Sequence, residues 1–85
     1  MSNIKETLVE RKIQHGPFKK HAEIEQNLRN VMDYNCSDLD EVQQIGLGMI
    51  LHKIARILND GHNHSDTWHD IAGYAILVEQ SILNE

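Results

Sequence analysis

Lys53, Arg56 and Asp70 stand inside apolar stretches on either side of a polar segment, residues 59–66. Charge on an apolar face costs solvation energy unless it is paired or put to use. Two cations three residues apart, set against one carboxylate, leave one positive charge over. A phosphate group satisfies such a charge. The same three residues also suffice for an ion pair that ties two helices together. The sequence leaves tether or pocket open.

A second group is His15-Gly16-Pro17-Phe18-Lys19-Lys20-His21, where two Lys and two His surround a Gly turn. Backbone N–H groups at the start of the following helix point into this turn, and helix N-termini favour anions. Phe18 either stacks on a base or fills the core, and the area it would bury favours the core. A third group is His62, His64, Asp66 and His69. Its spacing matches no zinc pattern and it has no cysteine partner, so it reads as a solvated loop. Ser65 and Ser81 lack a nucleophile elbow. Glu23 and Glu25 are two apart and point to different sides of a helix, and Glu79 stands alone on another. No catalytic residue, metal site or cofactor is expected.

Four helices would position these groups. The first is expected over residues 3–14, with Ser2 or Asn3 as its cap and Gly16-Pro17 as its end. The second runs from Phe18 to about Met32, on a stripe of Ile24, Leu28 and Val31. Ser37 and Asp40 suggest a capping box for a third helix over 38–58. Its wide apolar face of Leu47, Ile50, Leu51, Ile54 and Leu58, widened by Val42, Ile45 and Met49, marks a central helix. Gly46 and Gly48 each cost about 1 kcal/mol there and point to close helix approach. Asn59-Asp60-Gly61 stops it. Ser65 or Asp66 caps a fourth helix to Leu83, with Trp68, Ile71, Ala72, Ala75, Val78 and Ile82 at helical spacing.

The expected fold is thus all-α, a compact four-helix bundle of two helical hairpins in one domain, residues 1–85. In the second hairpin, facing residues have position numbers summing to about 124. This sets Arg56 level with Trp68 and puts Asp70 within a turn of Lys53 and Arg56.

The chain has 85 residues and a net charge of −5. A domain this size buries only roughly 60–65% of its unfolded surface, so assembly with copies of itself is expected. Acidity disfavours general nucleic-acid binding, which depends on neutralising phosphates. Every Lys and Arg lies at or before Arg56, so an anion site must draw on the first two-thirds of the chain. No apolar run approaches the ~20 residues of a membrane span. The first residues lack a signal-peptide core, and the single cysteine, Cys36, fits a reducing cytoplasm.

The strings ERKIQHGPF, MILHKIARILN and DTWHDIAGYAILVE resemble a family of small phage and prophage proteins. Its pattern is E-R-x3-Y-G-x-F, then K-I-A-R-I, then D-x-W-x-D-I-A-G-Y-A, and the resemblance covers about residues 8–79. Lys53, Arg56, Trp68, Asp70, Gly73 and Tyr74 match it. His15 stands where the family has Tyr, and Pro17 where it has Asp or Ser. The family is also distantly similar to all-α nucleotide pyrophosphohydrolases of the MazG type, whose E-x-x-E and E-x-x-D motifs this chain lacks. The resemblance implies a helical nucleotide-associated scaffold more than it implies hydrolysis. Small phage proteins also include sponges that trap cyclic-nucleotide or ADP-ribose signals of host immunity, an analogy of kind.

The leading expectation is a non-enzymatic binder of a phosphate-bearing nucleotide ligand, oligomeric and in the cytoplasm of an infected bacterium. Lys53 and Arg56 would contact phosphate, Asp70 would orient them, and Trp68 or Tyr74 would stack on a base. His15, Gly16 and Phe18 would complete the site. The alternatives are a Mg²⁺-dependent phosphohydrolase using Glu23 or Glu25, Asp70 and Glu79, and an acidic protein-binding inhibitor of a host defence enzyme.

Overall fold

In the computed structural model, residues 17–84 are described, and they form helices joined by short turns, with no strand among them. Helix α1 spans Phe18–Tyr34, α2 spans Glu41–Arg56 and α3 spans Ser65–Leu83; a kinked turn, Ile57–Gly61, follows α2. The helix expected over 3–14, its caps and the His15-Gly16 turn lie outside the described residues.

Pro17 opens α1 because its ring fixes φ at −65°, while ψ of 134° keeps it outside the helix. The helix continues two residues past the expected Met32. Asn35 then closes it, its side-chain amide donating to the Val31 carbonyl at 2.8 Å. The capping box of α2 differs from the one expected. Asp40 Oδ1 accepts from the Gln43 backbone at 2.7 Å, and Gln43 Oε1 accepts from the Asp40 backbone at 3.1 Å. Ser37 instead lies in a turn closed by Leu39 N–H donating to the Cys36 carbonyl. The physical reason is reach: Gln at the third helical position spans back to the cap, whereas Asp40 in that role would be too short.

The regular part of α2 ends at Arg56, two residues before the expected Leu58. The chain then leaves helical geometry at Asn59 and turns left-handed at Asp60, with φ of 70°. Asn59 is wholly buried, and its amide donates to the Pro17 carbonyl at 2.9 Å, fastening this turn to the start of α1. His64 occupies the cap position of α3 without a side-chain capping hydrogen bond, so neither Ser65 nor Asp66 is the cap as expected. Asp66 sits in the first turn, where the helix dipole favours an anion.

Helices α2 and α3 form the expected antiparallel hairpin in the expected register: Gly46 faces Val78 and Lys53 faces Asp70. A Cβ at Gly46 would collide with Val78 Cγ2, which explains this glycine as a point of close approach. Gly48, which lies against Arg29 of α1, is buried together with Leu51 and Ala55. Leu51 and Ala55 are the buried apolar side chains among the described residues. The wide face expected as core is therefore mostly uncovered: Ile45 is 71% exposed and Leu58 56%. The buried positions of α2 are the small Gly46, Gly48 and Ala55 together with Leu51, while much of its large apolar surface stays exposed. Phe18 is likewise exposed, not core, and Trp68 is half-exposed.

Candidate functional site

Two groups of charged side chains stand on α2, one toward α3 and one toward α1. Toward α3, Lys53 Nζ donates to Asp70 Oδ2 at 2.9 Å. The lysine side chain is 12% exposed and the carboxylate 44%. The hydrogen bond from Lys53 holds the Asp70 carboxyl below its ordinary range against a smaller opposing effect of burial, with help from the charges of Lys53, His69 and Arg56. Arg56, one helical turn on from Lys53, is half-buried and has no ion-pair partner among the described residues. The Trp68 indole N–H donates to the His62 carbonyl at 2.9 Å, which fixes its ring against the loop. By the hairpin register it is level with Arg56. Tyr74 is one turn beyond Asp70 on the same face of α3, and is half-buried.

Phe18, exposed at the start of α1, is not near this group in the register; its ring stacks on His21 at 6.2 Å between centroids. His15 and Gly16 lie outside the described residues. The structure thus brings Lys53 and Asp70 together, with Arg56, Trp68 and Tyr74 on the adjoining turns, and sets Phe18 with the second group.

That second group centres on Glu25. Its Oε1 accepts from His21 Nε2 at 2.8 Å and from His52 Nδ1 at 2.5 Å, and its Oε2 accepts from Arg29 Nε at 2.7 Å. An ionised carboxylate only accepts, so each facing ring nitrogen holds a proton. Burial pushes the Glu25 carboxyl up, but the hydrogen bonds from Arg29, His21 and His52, and the charge of His52, outweigh it and lower it to about 2. The two imidazoles meet edge to face, 4.9 Å apart.

Sequence reasoning missed this group as a unit. The spacing His21, Glu25, Arg29 is i, i+4, i+8, which places all three on one helical face and was available as a signal. His52 was not, because it joins from another helix, 27 positions away. The loop residues His62, His64, Asp66 and His69 assemble no comparable group among the described residues.

Residues 2–82 match the family model described as a domain of unknown function, DUF6378. The chain belongs to this family. No curated protein and no solved structure matches it. The DUF6378 match takes in the three described helices up to residue 82, so both the Lys53 group and the Glu25 group lie within the family domain. It also includes residues 2–16, which are therefore part of the same unit of sequence.

Proposed function

We propose that this chain is a non-enzymatic, oligomeric binder of a phosphate-bearing, nucleotide-type small molecule, held on the α2–α3 face. The observation that supports this reading is the imbalance of charge there. Lys53 is satisfied by Asp70, while Arg56 beside it has no ion-pair partner among the described residues. A guanidinium can grip a phosphate through two parallel hydrogen bonds, and a base could rest on the Trp68 indole at the same level of the hairpin. Asp70 keeps Lys53 extended across the interface, with Tyr74 one turn beyond.

In the phage setting implied by the motif resemblance, such a protein would sequester a cyclic-nucleotide or ADP-ribose-type signal in the host cytoplasm. The uncovered apolar faces of α1 and α2, with Val31 65% and Ile45 71% exposed, suit assembly with further copies. The hydrolytic alternative finds less support. Glu25 stands among two imidazoles and a guanidinium, unlike the all-oxygen surroundings that Mg²⁺ prefers, and Asp70 and Glu79 join no group of three ligand-type side chains among the described residues.

The test is calorimetry against cyclic dinucleotides, cyclic trinucleotides and cyclic ADP-ribose isomers, with sedimentation of the same sample. Saturable binding is expected to one of them, by a species heavier than the 9.8 kDa chain. Arg56→Gln is expected to weaken binding roughly 10- to 100-fold, the loss of charge-assisted hydrogen bonds. Absence of binding at high micromolar ligand overturns the reading.

A further inference from the structure

We infer that His21, Glu25 and His52 form a binding site for a transition-metal dication of the Zn²⁺ type, a site that involves neither Arg56 nor a phosphate ligand. Their ligand atoms all lie within 4.8 Å of one another. His21 and Glu25 come from adjacent turns of α1, and His52 reaches across from α2. Metal sites between packed helices are built in this way, from side chains on facing helices. Two imidazoles and one carboxylate suit Zn²⁺ and its first-row neighbours, whereas Mg²⁺ and Ca²⁺ prefer sites made wholly of oxygen.

The geometry gives the metal a definite place. Both rings aim a nitrogen at the same oxygen, Glu25 Oε1. A dication would take the place of the two ring protons that now fill the space between them: each facing nitrogen gives its proton to solvent, and each imidazole binds as the neutral ring with its N–H on the other nitrogen. Tetrahedral zinc at ordinary bond lengths sets its ligand atoms about 3.3 Å apart, so the N–O separations of 2.8 and 2.5 Å must open by about 0.5–0.8 Å. His52, one-third exposed, has room to give way, and His21 is held by packing and by Phe18 across its ring. Three protein ligands would leave a fourth position for water.

Arg29 acts in both directions. Through Oε2 it fixes the carboxylate's orientation, as partners behind metal ligands commonly do. Its charge also opposes that of the metal, but the arginine side chain is 36% exposed, where solvent screens it.

The experiment uses the full, untagged chain stripped with chelator and titrated with Zn²⁺ by calorimetry. Saturable uptake of one Zn²⁺ per chain and a raised Tm are expected. Losing a partner behind a ligand costs metal sites 10- to 100-fold, so removing a ligand through His52→Ala should weaken uptake at least about tenfold. Circular dichroism checks that this variant folds. Replacing the loop histidines together, His62→Asn, His64→Asn and His69→Asn, should leave uptake unchanged. In the unaltered chain, ring-nitrogen NMR should show Zn²⁺ shifting His21 Nε2 and His52 Nδ1, a readout that does not depend on any variant folding. No saturable uptake, uptake that survives His52→Ala, or shifts confined to the loop histidines overturns the proposal.

Discussion

At the scale of single residues, Glu25 joins the two helices most directly, because one carboxylate serves donors from both. Its folded-state pKa of about 2 lies below its ordinary 4.5. A depressed carboxyl contributes stability that is complete above the unfolded pKa and fades as pH falls through the folded one. The groups facing it are His21 and Arg29 on α1 and His52 on α2. Acid titration of the metal-free chain by circular dichroism should therefore show stability falling between about pH 4.5 and 2. Glu25→Gln, which cannot ionise, should flatten that part of the profile; an unchanged slope would count against the role given to Glu25. The Lys53–Asp70 contact was legible in the sequence, because antiparallel register alone puts the two side by side. The Glu25 group was only half legible. Spacing marks its α1 members, but the register of α1 against α2 is set by buried small residues and by Asn59, which no periodicity reveals.

At the scale of elements, the helices themselves were readable from apolar spacing and from Gly, Pro and Asn punctuation, and their ends less so. The shift from Ser37 to Asp40 at the cap of α2 turned on the length of the Gln43 side chain. The two glycines at 46 and 73 separate packing from propensity. Gly46 faces Val78 so closely that a methyl group must displace it, whereas a Cβ at Gly73 meets nothing within 4 Å among the described residues. Overpacking costs about 1–3 kcal/mol, and the helix propensity of Ala over Gly returns about 1. Chemical denaturation should thus find Gly46→Ala neutral to destabilised by about 2 kcal/mol. Gly73→Ala should be stabilised by up to about 1 kcal/mol. The reverse order would mean that α2 and α3 are not packed in this register.

At the scale of the whole molecule, the all-α class was legible, and the extent of the core was not. Apolar stripes show which residues prefer burial, but what covers them is a tertiary matter. Here the described helices bury Leu51 and Ala55 while Ile45, Val31 and Leu77 stay largely exposed. The amide of Asn59 on the Pro17 carbonyl also joins distant parts of the chain, which bears on the order of folding. The α2–α3 hairpin can start to close through contacts 17 positions apart, as between Lys53 and Asp70, and then extend to Gly46 and Val78, 32 apart. The hydrogen-bonded ties of α1 to the rest span 27 positions at Glu25–His52 and 42 at Pro17–Asn59, so these close longer loops than Lys53–Asp70 does. From loop length the hairpin is expected to form first, and α1 to dock last and detach first. Native-state hydrogen exchange should register this as smaller opening free energies for the amides of α1 than for those in the middle of α2. Equal protection would mean that the chain opens only as a whole. If α1 does detach first, one such excursion parts Glu25 from His52 while Lys53 stays on Asp70, so the two charged groups would live on different clocks.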